Sequence, residues 1–216
     1  MKPKDLKYPF SWEERRPLFS DRVFFVPDYY DKHDARAFPP FEPSYPINIE
    51  YCTGNGNWIA EKAKNSSTRW IAVEWRFDRV RKIWSKMKNN SLLNLIVICG
   101  EAFIFTREYL PSWSIQEAFI NFPDPWPKEK HAKNRLFQVP FVHELSRVVQ
   151  RAVTVATDDL LYLEQIQKVM GCNGLWKSPV YTTNWPDYGA SYFDTLWREK
   201  GKTIHYLYYE RNHPSS

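Results

Sequence analysis

Ile47-Asn48-Ile49-Glu50-Tyr51-Cys52-Thr53-Gly54-Asn55-Gly56-Asn57-Trp58 is the stretch on which the fold turns. A β-rich run, Ile47 to Cys52, carries a carboxylate near its end, passes two glycines in three residues, and leads into a helical period from Trp58 to Lys64. In a chain with seven glycines, that pair marks either close backbone approach to a ligand or a plain tight connection. Strand, glycine turn and helix in this order open a βαβ unit.

The alternation repeats outward from this stretch. Trp70 to Trp75, Leu93 to Cys99, Ile115 to Phe122, Ala152 to Ala156 and Thr203 to Tyr209 read as further strands. Arg76 to Lys88 reads as a helix with Phe77, Val80, Ile83, Trp84 and Met87 on one face, and Val139 to Gln150 and Leu160 to Met170 read as two more. The opposite face of the first, with Arg76, Arg79, Arg81, Lys82, Lys86 and Lys88, reads as a solvated basic surface, phosphate contact being the alternative. Together these predict an α/β three-layer sandwich with a mostly parallel central sheet.

Ligands of such sheets sit at the carboxyl ends of the strands. A dinucleotide turn, G-x-G-x-x-G, would need glycine where Ile59 stands, and Glu50 beside the turn would repel a pyrophosphate. A carboxylate there suits a cation, and S-adenosylmethionine carries both an ammonium and a sulfonium. Glu74 lies about twenty residues after the turn, where an acid accepts from two ribose hydroxyls. Glu101, in Gly100-Glu101-Ala102, is placed for an adenine amine. Each glutamate alone reads as a solvated strand end; three on one edge read as a site.

A second stretch, Asn121-Phe122-Pro123-Asp124-Pro125-Trp126-Pro127-Lys128-Glu129-Lys130-His131-Ala132-Lys133-Asn134-Arg135, follows the fourth strand. Its three prolines forbid helix and ladder bonding and hold Asp124 and Trp126 on a stiff turn. Lys128, Lys130, Lys133 and Arg135 against Glu129 leave a local charge of +3, suited to an anionic polymer.

Phe122-Pro123-Asp124-Pro125-Trp126-Pro127-Lys128, with His131 and Arg135 behind it, resembles the F-P-D-P-W-x-K signature of the bacterial tRNA (guanine-N7-)-methyltransferases of the TrmB type. The resemblance implies a class I methyltransferase fold, S-adenosyl-L-methionine as cofactor, tRNA as substrate and methylation of a guanosine in the variable loop. Glu50 with Gly54 and Gly56 is similar to the family's E-x-G-x-G-x-G, except that Cys52 stands at the first glycine position. Glu74 corresponds to its ribose acid and Glu101 to its adenine-side acid, with Ala102 and Asn121 as further cofactor contacts. Ala156-Thr157-Asp158 resembles its A-T-D, and Ser191-Tyr192-Phe193-Asp194 its T-x-F-E with both polar positions substituted. Asp158, Ser191, Phe193 and Asp194 are thereby implied on the substrate side. The similarity runs from about Ile47 to Arg211.

The chemistry assigns further roles. N7 of guanine has an in-plane lone pair and no proton, so alignment rather than a general base is the main requirement. Asp124 is the expected central residue, orienting guanine and stabilising charge that develops on it. Lys128 is placed for a phosphate or a base oxygen, and Lys130, Lys133 and Arg135 for phosphates. Trp126 either stacks on a base or walls the pocket.

Composition sets the remaining limits. At 216 residues with 43% hydrophobic and 17% aromatic side chains, the chain is no disordered segment. A net charge of +5 favours an acidic partner. Three cysteines, Cys52, Cys99 and Cys172, show no C-x-x-C spacing, so neither a disulfide framework nor a metal site is expected, and a cytoplasmic setting fits. No run approaches the ~20 apolar residues of a membrane span. Residues 1–46 hold eight of the sixteen prolines and eleven aromatics. They read as an arm, packed on the 47–216 methyltransferase domain or lying on RNA. Monomer and homodimer both stay open. The alternative functions are a methyltransferase for another RNA or a small molecule, and an RNA-binding module without chemistry; the module would need the basic run but not three glutamates around a glycine turn.

Overall fold

The computed structural model describes residues 1–38 and 46–212; the expectations for 39–45 of the arm and for 213–216 fall outside these residues. In chain order the elements are β1 (Leu18–Ser20), β2 (Val23–Phe25), β3 (Ile47–Tyr51), α1 (Asn57–Lys64), β4 (Arg69–Glu74), α2 (Phe77–Asn89), β5 (Leu95–Cys99), α3 (Ala102–Tyr109), β6 (Ile115–Asn121), α4 (Val139–Val148), β7 (Val149–Thr157), α5 (Leu160–Gly171), β8 (Val180–Thr182), α6 (Tyr192–Glu199) and β9 (His205–Glu210). The strands form one sheet in the order β1-β2-β5-β4-β3-β6-β7-β9-β8. Strands β2 to β7 in that order run parallel, while the pairs β1 with β2, β7 with β9 and β9 with β8 are antiparallel.

Period-two alternation divides the core into layers. Ile47, Ile49, Tyr51, Ile71, Val73, Val153 and Val155 face a cluster with Phe105 of α3, Phe141 and Leu145 of α4, and Tyr162 and Ile166 of α5. Trp70, Ala72, Leu95 and Val97 face the other way, onto Trp58 and Ile59 of α1 and Val80, Ile83 and Trp84 of α2. Helices on both faces and a parallel centre give the expected three-layer α/β sandwich. β3 has β4 on one side and β6 on the other, so the crossovers diverge there and open a crevice at its carboxyl end.

Some boundaries differ from the sequence expectation. The third expected strand begins at Leu95 rather than Leu93, because Ser91 takes φ +51° and the Leu92 N–H closes onto Met87 O, leaving Leu93 81% exposed. The third expected helix, Val139 to Gln150, stops at Val148 and β7 begins at the next residue, three before the expected Ala152. Val149 pairs with Ile115 of β6; the β-branched run there is ambiguous by periodicity, and the neighbouring strand decides it. β1, β2, β8, α3 and α6 have no counterpart in the sequence expectation.

The arm joins the sheet. β2 lies parallel to β5, and the following Val26 N–H donates to Cys99 O at 2.8 Å. Leu6, Val23, Phe24, Phe25, Val26 and Phe38 are buried. The basic face of α2 is not simply solvated: Arg81 Nε donates to Leu6 O at 2.9 Å, Lys86 Nζ to Asn55 O at 2.8 Å, and Lys88 pairs with Asp21. Carbonyls in irregular chain need donors from outside a ladder, and these long cations reach them.

Candidate active site

The crevice beyond β3 widens into a cavity of about 590 Å³, within the ~300–1,000 Å³ usual for small-molecule sites. Its wall draws on the ends of β4, β5, β6 and β7 and on α6, bringing Glu74, Glu101, Asp124 and Asp158 together with Cys52, Trp126 and Phe193. Five carboxylates, counting Asp159, face two cations, Arg79 and Lys202. The resulting negative potential shows in the Cys52 thiol, held well above its ordinary pKa first by burial and then by Glu74, Asp124, Glu50 and Glu101. Such a pocket selects a cationic ligand over a pyrophosphate.

Backbone strain gathers at the same wall. Cys52, Phe122 and Trp126 all take positive φ, at +58°, +51° and +41°, and all three line the cavity. A non-glycine residue there costs about 1–2 kcal/mol, a cost tolerated where the site demands the turn. Cys52 thus keeps the left-handed backbone that the first glycine of the turn would provide. Gly54, at φ +60°, leaves room against Phe193: a Cβ would stand 3.3 Å from its ring.

The acidic residues divide into distinct duties. Glu74 Oε2 accepts from Gly54 N–H at 2.9 Å and Oε1 from Arg76 N–H at 2.8 Å, so it ties the glycine turn to the start of α2. Burial raises its pKa, opposed by the Arg76 N–H and the Arg79 charge. Its remaining lone pairs can still take hydroxyl donors. Glu101 caps α3, its two oxygens accepting from Phe103 N–H at 3.0 Å and Ile104 N–H at 2.7 Å; it borders the cavity, with half its acceptor capacity committed. Ala102 borders the cavity beside it.

Glu50 and Asn121 stand behind the wall rather than on it. Asn121 Nδ2 donates to Glu50 Oε1 at 2.7 Å, Tyr188 OH donates to Asn121 Oδ1 at 2.6 Å, and Trp58 Nε1 donates to Tyr188 O at 2.7 Å. Glu50 Oε2 is buried without a partner, and burial pushes the Glu50 pKa up to about 8. The two are therefore outside the cavity's lining and join the strand ends that lead into the turn.

On the substrate side Asp124 is exposed at the cavity and makes no hydrogen bond or ion pair among the described residues. Asp158 also lines the cavity but is paired with Lys202. Phe193 lines the cavity beside the glycine turn. Ser191 and Asp194 do not: Ser191 caps α6, while Asp194 is buried, accepting from Arg198 Nε at 2.7 Å and Tyr206 OH at 2.8 Å. The shorter Asp keeps a structural bond set in which Glu would need more room.

The basic run separates in the same way. Lys128, Lys130 and Lys133 are exposed on and beside a 3-10 turn, Glu129–Asn134. Arg135 turns inward, donating to Pro125 O at 2.7 Å, to Trp126 O at 3.2 Å and to Gln165, so it fastens the proline turn instead of facing a phosphate. Its fork fits carbonyls that the prolines leave without ladder partners.

Arg79, Trp197 and Lys202 line the cavity and were missed from the sequence. Arg79 reaches Glu74 at 3.8 Å and lies over the Phe193 ring, but in sequence it is one member of a basic row. Lys202 lies over Trp197, with its ammonium 4.1 Å from the ring centroid.

A sheet whose order reverses at β3, with a glycine turn and strand-end acids around a cavity, is the plan of an α/β methyltransferase. The 16S rRNA methyltransferase KamB has this fold, superposing with a TM-score of 0.57 at 14% identity over 78% of this chain and 89% of that one. A family model described as "Putative methyltransferase" matches residues 44–207. The tRNA (guanine-N(7)-)-methyltransferase of Chlamydia trachomatis is 48% identical over 94% of this chain and 95% of its own length, and that of Chlamydia muridarum 46% over the same shares. The chain belongs to the tRNA (guanine-N(7)-)-methyltransferase family and is an enzyme.

Proposed function

We propose that this enzyme transfers the methyl group of S-adenosylmethionine to N7 of a guanosine in the variable loop of tRNA. Membership of the family supports the reaction. The observation that carries the residue assignment is the cavity in which unpaired Asp124 shares a wall with Glu74 and with Cys52 at the start of the glycine turn.

The residues fit the cofactor. The cavity is acidic and large enough, and Gly54 backs its Phe193 wall, where a Cβ would stand 3.3 Å from the ring. When bound, the cofactor supplies an electrophilic methyl group on a sulfonium. Glu74, with Gly54 and Gly56 shaping the turn, would hold the ribose side; Glu101 and Ala102 would border the adenine, and Glu50 with Asn121 would set the turn from behind. Asp124 orients guanine through N1–H and the 2-amino group and stabilises the positive charge that grows on the ring. Asp158, with Lys202, and Phe193 complete the substrate side, and Lys128, Lys130 and Lys133 meet phosphates. Residues 47–216 act as the catalytic domain, with 1–46 as an arm serving it. Among the described residues no helix is long and apolar enough to cross a membrane; the enzyme's place is with tRNA in the cytoplasm.

Mass spectrometry of nucleosides from tRNA incubated with protein and cofactor tests the reaction, and fragment mapping tests the loop. Absence of 7-methylguanosine would overturn the proposal, and methylation elsewhere would overturn the variable-loop assignment.

A further inference from the structure

A second hollow, about 330 Å³, lies against the first and shares Trp75 and Gly100 with it. Its remaining wall comes mostly from the arm, with Tyr8, Trp12 and Arg15 at its rim and Cys99 behind them. Trp12 is 61% exposed, Trp75 59% and Tyr8 51%. Single exposed rings are ordinary, but three around one hollow form an apolar patch of the kind that marks a binding surface.

We propose that this hollow takes an unpaired nucleobase of the tRNA, held by stacking. The inference rests on tRNA being the substrate. Arg15 lies 3.9 Å from the Trp12 ring centroid, a guanidinium laid on an indole, while its Nε is buried without a hydrogen-bond partner. Tyr8 is braced from behind by Phe77 at 3.9 Å between centroids, so its position is set before any ligand arrives. Flat faces beside a guanidinium are the chemistry on which a base stacks. Within the hollow the charge of Arg15 is matched by Asp28, a carboxylate able to accept from a base amine, while the arm around it is basic: residues 1–16 carry five Lys or Arg against three Asp or Glu, with Lys7 and Arg16 exposed. The hollow also has a fixed relation to the catalytic cavity, because Val26 lies against Gly100, where a Cβ would come within 2.7 Å of it. A base held there is in register with the guanosine held beside Asp124.

Trp12→Ala removes the most exposed ring without touching the sheet. Affinity of the full-length protein for a tRNA transcript, measured across salt concentrations, should fall about 5-fold to 100-fold, the scale of removing one stacking partner. The log-log salt slope should stay that of the wild type, because every cation that meets a phosphate is still in place. Trp12→Phe should restore most of the affinity, and cofactor binding without RNA should not change. Unaltered tRNA affinity in Trp12→Ala would overturn the proposal. So would a drop in cofactor affinity without RNA, which would assign the hollow to the cofactor's adenine, or a flattened salt slope, which would assign it to phosphate. Failure of the wild type itself to bind or methylate tRNA would instead defeat the functional reading.

Discussion

Asn121 Nδ2 donates to Glu50 Oε1 at 2.7 Å, joining the ends of two neighbouring strands, β6 and β3, just before the glycine turn. The other carboxyl oxygen of Glu50 is buried and unpartnered, and burial raises its pKa from 4.5 to about 8. Between those values the unfolded chain gives up this proton while the folded chain keeps it. Stability should therefore fall as pH rises from about 4.5 to 8, by a few kcal/mol, and this contribution should flatten above that. Glu50→Gln keeps the neutral shape at every pH. Thermal melting of cofactor-free protein should find the variant several degrees more stable than wild type at pH 9 and similar at pH 5. Parallel curves over that range would show that Glu50 is ionised in the fold.

Glu74 has a double task, accepting from Gly54 and Arg76 N–H groups and, in the proposed complex, from ribose. Glu74→Ala removes charge-assisted bonds worth about 1.5–3 kcal/mol each and should weaken S-adenosylmethionine binding at least tenfold in calorimetric titration. Glu74→Gln should forfeit much of the same affinity, since an amide nitrogen cannot accept from either N–H. An unchanged dissociation constant in both variants would remove Glu74 from the cofactor site.

Asp124→Asn keeps the shape and removes the charge. Turnover should drop by about 10² to 10³ with nearly normal cofactor affinity, the scale of removing one preorganised electrostatic interaction. Turnover unchanged in Asp124→Asn would end the charge-stabilising role, and turnover that falls together with cofactor affinity would place Asp124 on the cofactor side.

The basic run should split by experiment as it does by geometry. Replacing Lys128, Lys130 and Lys133 with Ala should weaken tRNA binding and reduce the log-log salt slope by roughly 0.7–0.9 for each phosphate no longer neutralised. Arg135→Ala should leave that slope alone and lower turnover and melting temperature, because the carbonyls of Pro125 and Trp126 are left without their donor. A salt slope that changes only in Arg135→Ala would reverse these assignments.

Local pattern alone determined the βαβ alternation, the sheet's parallel centre, the glycine turn, the row of glutamates and the proline turn carrying Asp124. Those features depend on period, turn chemistry and short spacing, all of which a single sequence displays. Tertiary structure decided which polar groups were left for a ligand. Asp124 stays unpaired, whereas Glu101 caps a helix, Asp194 is consumed by Arg198 and Tyr206, and Arg135 by carbonyls of the turn before it. A carboxylate or guanidinium bonds to whatever the fold brings within about 3 Å, and partners such as Tyr188 for Asn121, or Lys202 for Asp158, lie dozens of residues away. The arm shows the same limit: β1 and β2 are three-residue strands, too short for a period to be read, and they exist because β5 offers an edge to pair with.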